Sequence, residues 1–228
     1  MISCVTAQNP KRIIALEPCR PELVCEQLSA IFEEIPPQAI KTGMLYSAEI
    51  IRAVVTFLRP RRSTAPLIVD PVAVATSGRQ LLQPDAAKAL QEELLPLAAL
   101  VTPNLSEAQI LTGQVIREPE GMRKAARFIH KKFGCAALVK GGHLKGMREA
   151  VDIFYDGREE LLLSAPFIKG LLLHGTGCTY SAAITAFLAL GHGLSEAVQR
   201  GKGYITQAIV QSRRVGGHVV LGWKARET

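Results

Sequence analysis

The sequence predicts an α/β fold with a mostly parallel central sheet covered by helices on both faces. Short apolar runs rich in Val, Ile and Leu alternate with longer amphipathic segments, as expected where strands and helices alternate along a chain. Apolar strands of this kind are typical of a sheet buried between two helical layers. Two late runs joined by Asp156-Gly157 are the exception, because this short turn predicts an antiparallel hairpin.

The apolar runs place seven strands and the amphipathic segments place seven helices. The predicted strands are Ile13–Leu16, Ala39–Met44, Pro66–Asp70, Leu100–Pro103, Ala136–Lys140, Val151–Tyr155 and Leu161–Ser164. The predicted helices are Pro21–Glu34, Ser47–Leu58, Asp85–Leu95, Leu105–Thr112, Gly121–Phe133, Gly177–Leu190 and Ser195–Gln211. Local signals mark three helix starts (Ser47, Pro84-Asp85, Ser195-Glu196) and three helix ends (Gly113, Gly134, Gly191).

Length and composition are those of one globular domain spanning 1–228. Hydrophobic residues make up 48% of the chain and charged residues 21%, which excludes a disordered or fibrous protein. The longest apolar run, Ala182–Leu190, is much shorter than the roughly 18 residues that a membrane span requires. The first residues lack the pattern of a signal peptide. Five scattered cysteines without a C-x-x-C pair argue against disulfides or structural zinc, and favour the cytoplasm.

The net charge of +7 leaves three classes of explanation: nucleic acid, an anionic small molecule or a solvated surface. The basic clusters are short, namely Arg59-Pro60-Arg61-Arg62, Lys131-Lys132 and Arg213-Arg214. Aromatic residues are not interleaved with these charges, so neither a stacking platform nor a continuous basic stripe is present. Nucleic-acid binding is therefore disfavoured, and an anionic small-molecule ligand remains open.

Polar side chains follow three of the predicted strands. Asp70, Asn104 and Lys140 each come at or just after a strand end, and each taken alone is well explained as a turn or cap residue. Ligands of open α/β sheets bind outside the carboxyl ends of the strands, where these three residues meet. A carboxylate, an amide and an ammonium at one edge predict a site for phosphate and a metal ion.

Asn104-Leu105-Ser106-Glu107 has two compatible interpretations. Asn104 caps a helix with Glu107 at its third position, or Glu107 holds a water bound to Mg²⁺.

The sharpest feature is His174-Gly175-Thr176-Gly177-Cys178-Thr179 before an apolar helix. Glycines at a helix start leave backbone N–H groups open to an anion, supported by the helix dipole. A thiol at this position is expected to have a lowered pKa, which makes Cys178 a candidate general base or nucleophile. The alternative is a small residue that packs the helix against the sheet. Walker-type and G-x-G-x-x-G phosphate loops are absent from the sequence.

Five motifs in order resemble the hydroxymethylpyrimidine and phosphomethylpyrimidine kinases of thiamine biosynthesis, a branch of the ribokinase superfamily. The resemblance extends through essentially the whole chain. The motifs are Lys41-Thr42-Gly43-Met44-Leu45, Val69-Asp70-Pro71-Val72 with Ser77-Gly78, Val101-Thr102-Pro103-Asn104-Leu105-Ser106-Glu107-Ala108, Val139-Lys140-Gly141-Gly142-His143, and His174-Gly175-Thr176-Gly177-Cys178-Thr179-Tyr180-Ser181-Ala182-Ala183. The fold that this resemblance implies is the ribokinase-like three-layer α/β/α arrangement.

The resemblance also implies the reaction: ATP-dependent phosphorylation of 4-amino-5-hydroxymethyl-2-methylpyrimidine and then of its monophosphate, with Mg²⁺ as cofactor. The resemblance implies that Cys178 is the catalytic base and that the amides of Gly175, Thr176 and Gly177 stabilise the transition state. Lys140, Asp70 and Thr176 would contact the ATP phosphates, and Asn104 and Glu107, with Asp70, would arrange Mg²⁺ and its waters. Gln8 and Met44 would contact the pyrimidine. By the same similarity, adenine lies near Lys202–Ala208 and the protein is a homodimer.

Two departures from the family pattern raise alternatives. The family has a strand, a segment of the type G-S-D-x-S-G-G-A-G and a helix before the Thr-Ala-Gln-Asn stretch, so we expect this chain to be N-terminally incomplete, with an open sheet edge. Leu172-Leu173 replaces the usual Asn-Thr before His174. The alternatives are pyridoxal kinase activity, or an inactive truncated paralogue that only binds a ligand or partner.

Overall fold

The computed structural model describes residues 1–61, 65–73, 80–142, 144, 149–168 and 173–222. Its strands are β1 (Cys4–Asn9), β2 (Arg12–Pro18), β3 (Ile40–Thr42), β4 (Leu67–Val69), β5 (Leu100–Val101), β6 (Ala136–Lys140), β7 (Glu149–Tyr155), β8 (Glu160–Pro166), β9 (Arg213–Val215) and β10 (His218–Val220). Its α-helices are α1 (Pro21–Glu34), α2 (Ala48–Leu58), α3 (Pro84–Ala89), α4 (Leu105–Thr112), α5 (Pro119–Phe133), α6 (Thr176–Ala189) and α7 (Leu194–Val210).

A six-stranded sheet in the order β3-β4-β5-β6-β7-β8 forms the centre of the molecule. Neighbouring strands from β3 to β6 pair in parallel, whereas β6–β7 and β7–β8 pair antiparallel. The carboxyl ends of the four parallel strands therefore meet at one edge of the sheet. The predicted parallel sheet with a late hairpin is confirmed.

Each face of this sheet is covered by its own apolar layer, because successive strand residues point to opposite faces. Val69 belongs to one apolar cluster, which includes residues of α1 to α5 such as Ile51 and Ile129. Ile68, one residue earlier, packs in a second cluster that includes Ile184 of α6. The result is the predicted three-layer α/β/α arrangement.

Helices α6 and α7 cross closely at Gly201. A Cβ atom on this residue would lie 2.6 Å from Ile184 Cγ1 and 3.2 Å from Tyr180 Cε2, so only glycine fits without a shift of α6. This crossing holds the start of α6, with Cys178, above the sheet edge.

The strand predicted at Ile13–Leu16 was placed wrongly in the central sheet. It belongs to β2, which pairs antiparallel with β1 in a separate two-stranded sheet. The Asn9 side chain accepts hydrogen bonds from the N–H groups of Lys11 and Arg12, and this local turn favours a hairpin over a crossover connection.

Most other bounds differ from the predictions by only a few residues, and two differences have clear causes. After α3, the predicted helix Asp85–Leu95 continues as a π-helical turn (Leu90–Leu94) and a 3₁₀ turn (Leu95–Leu97), because Pro96 has no N–H for an α-helical hydrogen bond. Helix α7 is capped by Gly193 rather than Ser195, because Gly193 is the extended residue whose carbonyl accepts from Ala197.

The remaining predicted signals agree with the structure where it describes them. Ser47 caps α2, and Gly113 and Gly134 end α4 and α5 in the left-handed conformation. Ser77-Gly78, His143 and Leu172 lie outside the described residues. Within the described part of the chain, every helix is too short or too polar to cross a lipid bilayer.

Candidate active site

A cleft of about 640 Å³ lies at the carboxyl edge of the parallel strands. The structure brings together in its walls nearly all of the predicted site residues: Gln8, Asp70, Asn104, Glu107, Lys140, Gly175, Thr176, Gly177 and Cys178. Met44 is the exception, because it does not line this cleft. It is half-buried, and its carbonyl accepts a 2.6 Å hydrogen bond from the Ser3 hydroxyl.

Asp70 is the polar centre of the cleft floor. It follows β4, is only 2% exposed, and its Oδ1 lies 3.2 Å from the Nζ of Lys140 at the end of β6. Its Oδ2 accepts a 2.9 Å hydrogen bond from the Ser181 hydroxyl of α6. Lys41, on β3, is a second cation at 3.9 Å from Oδ2, and the Thr102 hydroxyl donates to Oδ1 at 3.4 Å. Two cations and two hydroxyls thus compensate one buried carboxylate, as a buried charge requires.

The start of α6 is open to the cleft. Gly175 caps it at φ +76°, a conformation that favours glycine, and among the described residues no side chain caps this end. The N–H groups of Thr176, Gly177 and Cys178 have no acceptor within the helix, since an α-helix leaves its first donors unpaired. A Cβ on Gly177 would lie 3.1 Å from Lys140 Nζ, so this glycine lets the ammonium approach the helix start. Lys140 and the helix dipole together favour an anion here.

Cys178 is exposed to the cleft, but the predicted lowering of its pKa is wrong. The surrounding cleft wall desolvates the thiol and thereby raises its pKa, and the negative charge of Asp70 raises the pKa further. Lys41 and Lys140 oppose this effect without cancelling it. The helix-start argument failed because the sequence shows neither this desolvation nor that the thiol faces the Asp70 carboxylate.

Asn104 and Glu107 form the predicted capping box of α4. The Asn104 side chain accepts from the Glu107 N–H at 2.9 Å, and Glu107 Oε2 accepts from the Asn104 N–H at 2.8 Å. Glu107 Oε1 accepts from the N–H of Ala73 at 3.2 Å, so this carboxylate also holds the loop after β4. Burial raises the pKa of Glu107, whereas the charge of Lys140 acts to lower it.

Sequence reasoning missed a second buried ion pair in the cleft wall. Lys202 of α7 places its Nζ 2.7 Å from Asp152 Oδ2 on β7, and both residues line the cleft. A signal was available, since Asp152 is the only charged residue in the run Val151–Tyr155. Near this pair, the Tyr180 hydroxyl is buried and has no hydrogen-bond partner among the described residues. Burial and the charge of Asp152 raise the pKa of Tyr180.

The hairpin β1–β2 supplies part of the cleft wall. Gln8, Asn9 and Arg12 line the cleft from this hairpin, together with Pro10 and Ile13. The predicted substrate residue Gln8 is therefore on the same cleft as Cys178, although it comes from a separate sheet.

Comparison with solved structures finds the same fold. A phosphomethylpyrimidine kinase from Clostridium difficile has a TM-score of 0.80 and 39% identity, with 91% of this chain and 84% of that one covered. The pyridoxal kinase from Staphylococcus aureus, solved in complex with AMP-PCP and pyridoxal, has a TM-score of 0.85 and 31% identity, with 97% and 80% covered. The fold and site thus define a ribokinase-like small-molecule kinase.

Sequence comparison narrows this class. A hydroxymethylpyrimidine/phosphomethylpyrimidine kinase from Rhizobium meliloti (strain 1021) is 47% identical over 216 residues, which cover 94% of this chain and 80% of the relative. The chain belongs to the phosphomethylpyrimidine kinase family, whose model matches residues 1–222. The resemblance inferred from the motifs is confirmed.

The substitution Asp70→Asn should lower the pKa of Cys178, because it removes the negative charge that opposes the thiolate while Lys41 and Lys140 remain. A decrease of one unit gives about tenfold more thiolate at a pH below the pKa, so iodoacetamide should alkylate Cys178 faster at pH 7. Mass spectrometry of the Cys178 peptide over a pH series measures this rate, with half-buried Cys25 as the internal reference. If the pH at which Cys178 reaches half of its maximal alkylation rate stays unchanged or rises in Asp70→Asn, the effect assigned to the Asp70 charge is contradicted.

Proposed function

We propose that this protein transfers the γ-phosphoryl group of ATP to the hydroxymethyl group of 4-amino-5-hydroxymethyl-2-methylpyrimidine, and then to the resulting monophosphate, in thiamine biosynthesis. The observation that carries the proposal is the open start of α6, where a thiol, free backbone N–H groups and the Lys140 ammonium converge. Relatives that match nearly the whole chain carry the name of this activity.

Cys178 is the base of the transfer in this proposal. The substrate O–H proton passes to Sγ while the oxygen bonds to the γ-phosphorus, and the bond to the bridging oxygen breaks to release ADP. The raised pKa makes the thiolate scarcer at neutral pH but a stronger proton acceptor. The rate should therefore rise with pH until Cys178 is fully ionised.

The phosphates lie at the start of α6 in this proposal. The N–H groups of Gly175, Thr176, Gly177 and Cys178, the Thr176 hydroxyl and the Lys140 ammonium face the charge that builds up on the transferring group. Preorganised donors of this kind account for most of the catalysis of phosphoryl transfer. Asp70 keeps Lys140 at this position through their 3.2 Å contact.

The donor set fits Mg²⁺ bound mostly through water and phosphate oxygens. The described residues contain no group of three His, Cys, Asp or Glu placed to hold a metal by themselves. Mg²⁺ commonly needs only one or two protein carboxylates beside waters and substrate phosphates. Each Glu107 oxygen accepts one hydrogen bond and retains a lone pair, so Glu107 with Asn104 would hold the waters of the ion. When bound, Mg²⁺ neutralises charge on the phosphates.

The residues that line the cleft suggest which ligands they contact. Lys202, Ile205 and Thr206 of α7 line it, which supports the predicted adenine site near Lys202–Ala208. Gln8 on β1 also lines the cleft and is proposed to hydrogen-bond the pyrimidine. Met44, outside the cleft walls, stays a predicted contact. We also propose a cytoplasmic homodimer, and the five free cysteines suit a reducing compartment.

Purified protein should phosphorylate the hydroxymethylpyrimidine with ATP, and Cys178→Ala should lose most of kcat, because the base is gone. Cys25→Ala is the matched control, since Cys25 lies on α1 with its thiol directed to the Ala53 carbonyl of α2, and should keep wild-type kcat. The products are measured by mass spectrometry at each step.

Three outcomes of this experiment would overturn parts of the proposal. Full activity in Cys178→Ala would contradict the role of the base. A higher kcat/KM for pyridoxal than for the pyrimidine would favour the pyridoxal kinase alternative. Nucleotide binding without transfer to either acceptor would favour the inactive, ligand-binding alternative.

Glu107→Gln should keep helix α4 but raise the Mg²⁺ concentration needed for half-maximal activity, because the glutamine oxygen still accepts from the Asn104 N–H while the charge is lost. The hydrogen bond from the Ala73 N–H is lost as well, which should lower the melting temperature slightly. Melting temperature and a Mg²⁺ titration of kcat measure the two effects. Glu92→Gln, an exposed position, is the control. An unchanged Mg²⁺ titration would contradict the assignment of Glu107.

A further inference from the structure

The buried pair Asp152–Lys202 has a geometry that a purely stabilising contact does not require. Asp152 is 4% exposed and Lys202 is 9% exposed, and their charged atoms lie 2.7 Å apart. Lys202 Nζ also donates to the carbonyl of Ala150 at 2.9 Å. Burying two charges is costly, and apolar residues of similar size often stabilise a fold as well or better. The pair therefore calls for a role beyond stability.

The second oxygen of Asp152 holds the turn that follows β6. Its Oδ1 accepts a 2.9 Å hydrogen bond from the N–H of Gly141, the residue directly after Lys140. Gly141 must be glycine, because a Cβ would lie 2.4 Å from the carbonyl oxygen of Val151. Asp152 on β7 thus links β7 to the residue that directly follows Lys140, the last residue of β6.

Asp152 also stands directly opposite Lys140 across the two strands. Lys140 pairs with Asp152 in the antiparallel register, so the two side chains share one face of the sheet. The charges then alternate across the cleft floor from β3 to α7 in the order Lys41, Asp70, Lys140, Asp152, Lys202. Lys140 lies between the carboxylates of Asp70 and Asp152, and Lys202 compensates the charge of Asp152.

We propose that Asp152 and Lys202 are positioning residues for Lys140: they hold the end of β6 and balance the charge beside it, so that the Lys140 ammonium stays at the start of α6. This inference rests on the proposed function, in which Lys140 contacts the phosphates of the nucleotide. Lys202 acts through Asp152, and neither residue needs to touch the phosphates.

The test compares nucleotides with and without phosphates. Lys202→Met alone leaves an unpaired buried carboxylate and lowers stability, so the main variant is D152L/K202M, which replaces both charges by apolar side chains. Arg200→Met is the control, since it removes an exposed cation from the same helix. Calorimetry measures the Kd for AMP-PCP and for adenosine, and thermal unfolding checks the fold.

In D152L/K202M the affinity for AMP-PCP should fall about tenfold more than the affinity for adenosine, because a misplaced Lys140 loses phosphate contacts only, whereas loss of a Lys202 contact with adenine would weaken both ligands equally. The kcat of D152L/K202M should fall while the KM of the acceptor stays constant. Wild-type AMP-PCP affinity and kcat in D152L/K202M would show that the pair only stabilises the fold. An equal loss of affinity for adenosine would show that the pair contacts the nucleoside directly. Either result overturns the inference. Absence of acceptor phosphorylation by the wild type would overturn the proposed function instead, and the calorimetry would still test the inference.

Discussion

The buried carboxylate of Asp70 is the constraint on which the rest of the site depends. Residues of β3, β6 and α6 all approach it, through Lys41, Lys140 and the Ser181 hydroxyl. A carboxylate this deeply buried is costly unless each oxygen is paired, and here each oxygen has more than one partner. The same contacts that compensate Asp70 therefore fix the relative positions of three elements around the cleft.

The start of α6 and the cations beside Asp70 prepare the cleft for an anion. Lys41 and Lys140 both lie next to Asp70, and the first N–H groups of α6 line the same cleft without an acceptor inside the helix. Without a ligand, Asp70 partly satisfies these cations, and its charge also raises the pKa of Cys178. One carboxylate thus restrains the cations and sets the base strength of the thiol.

Sequence patterns could predict the site wherever its residues follow strands of the parallel sheet. Asp70, Asn104 and Lys140 were found in this way, because parallel strands end at one edge. The capping box of Asn104 and Glu107 was also predictable, since capping is local. The predicted strand Ile13–Leu16, part of β2, was assigned to the wrong sheet, because the pattern of a strand does not show which strand it pairs with. The pKa of Cys178 and the Asp152–Lys202 pair depend on contacts between distant residues, which spacing along the chain does not reveal.

A double-mutant cycle of Asp70→Asn and Lys140→Met on kcat/KM for ATP tests most directly the claim that Asp70 acts by holding its cations. If Asp70 works through Lys140, the double variant should be little worse than the more damaging single variant, with a coupling energy of about 1 kcal/mol or more. Effects on kcat/KM that simply multiply would contradict the account, because Asp70 and Lys140 would then contribute independently.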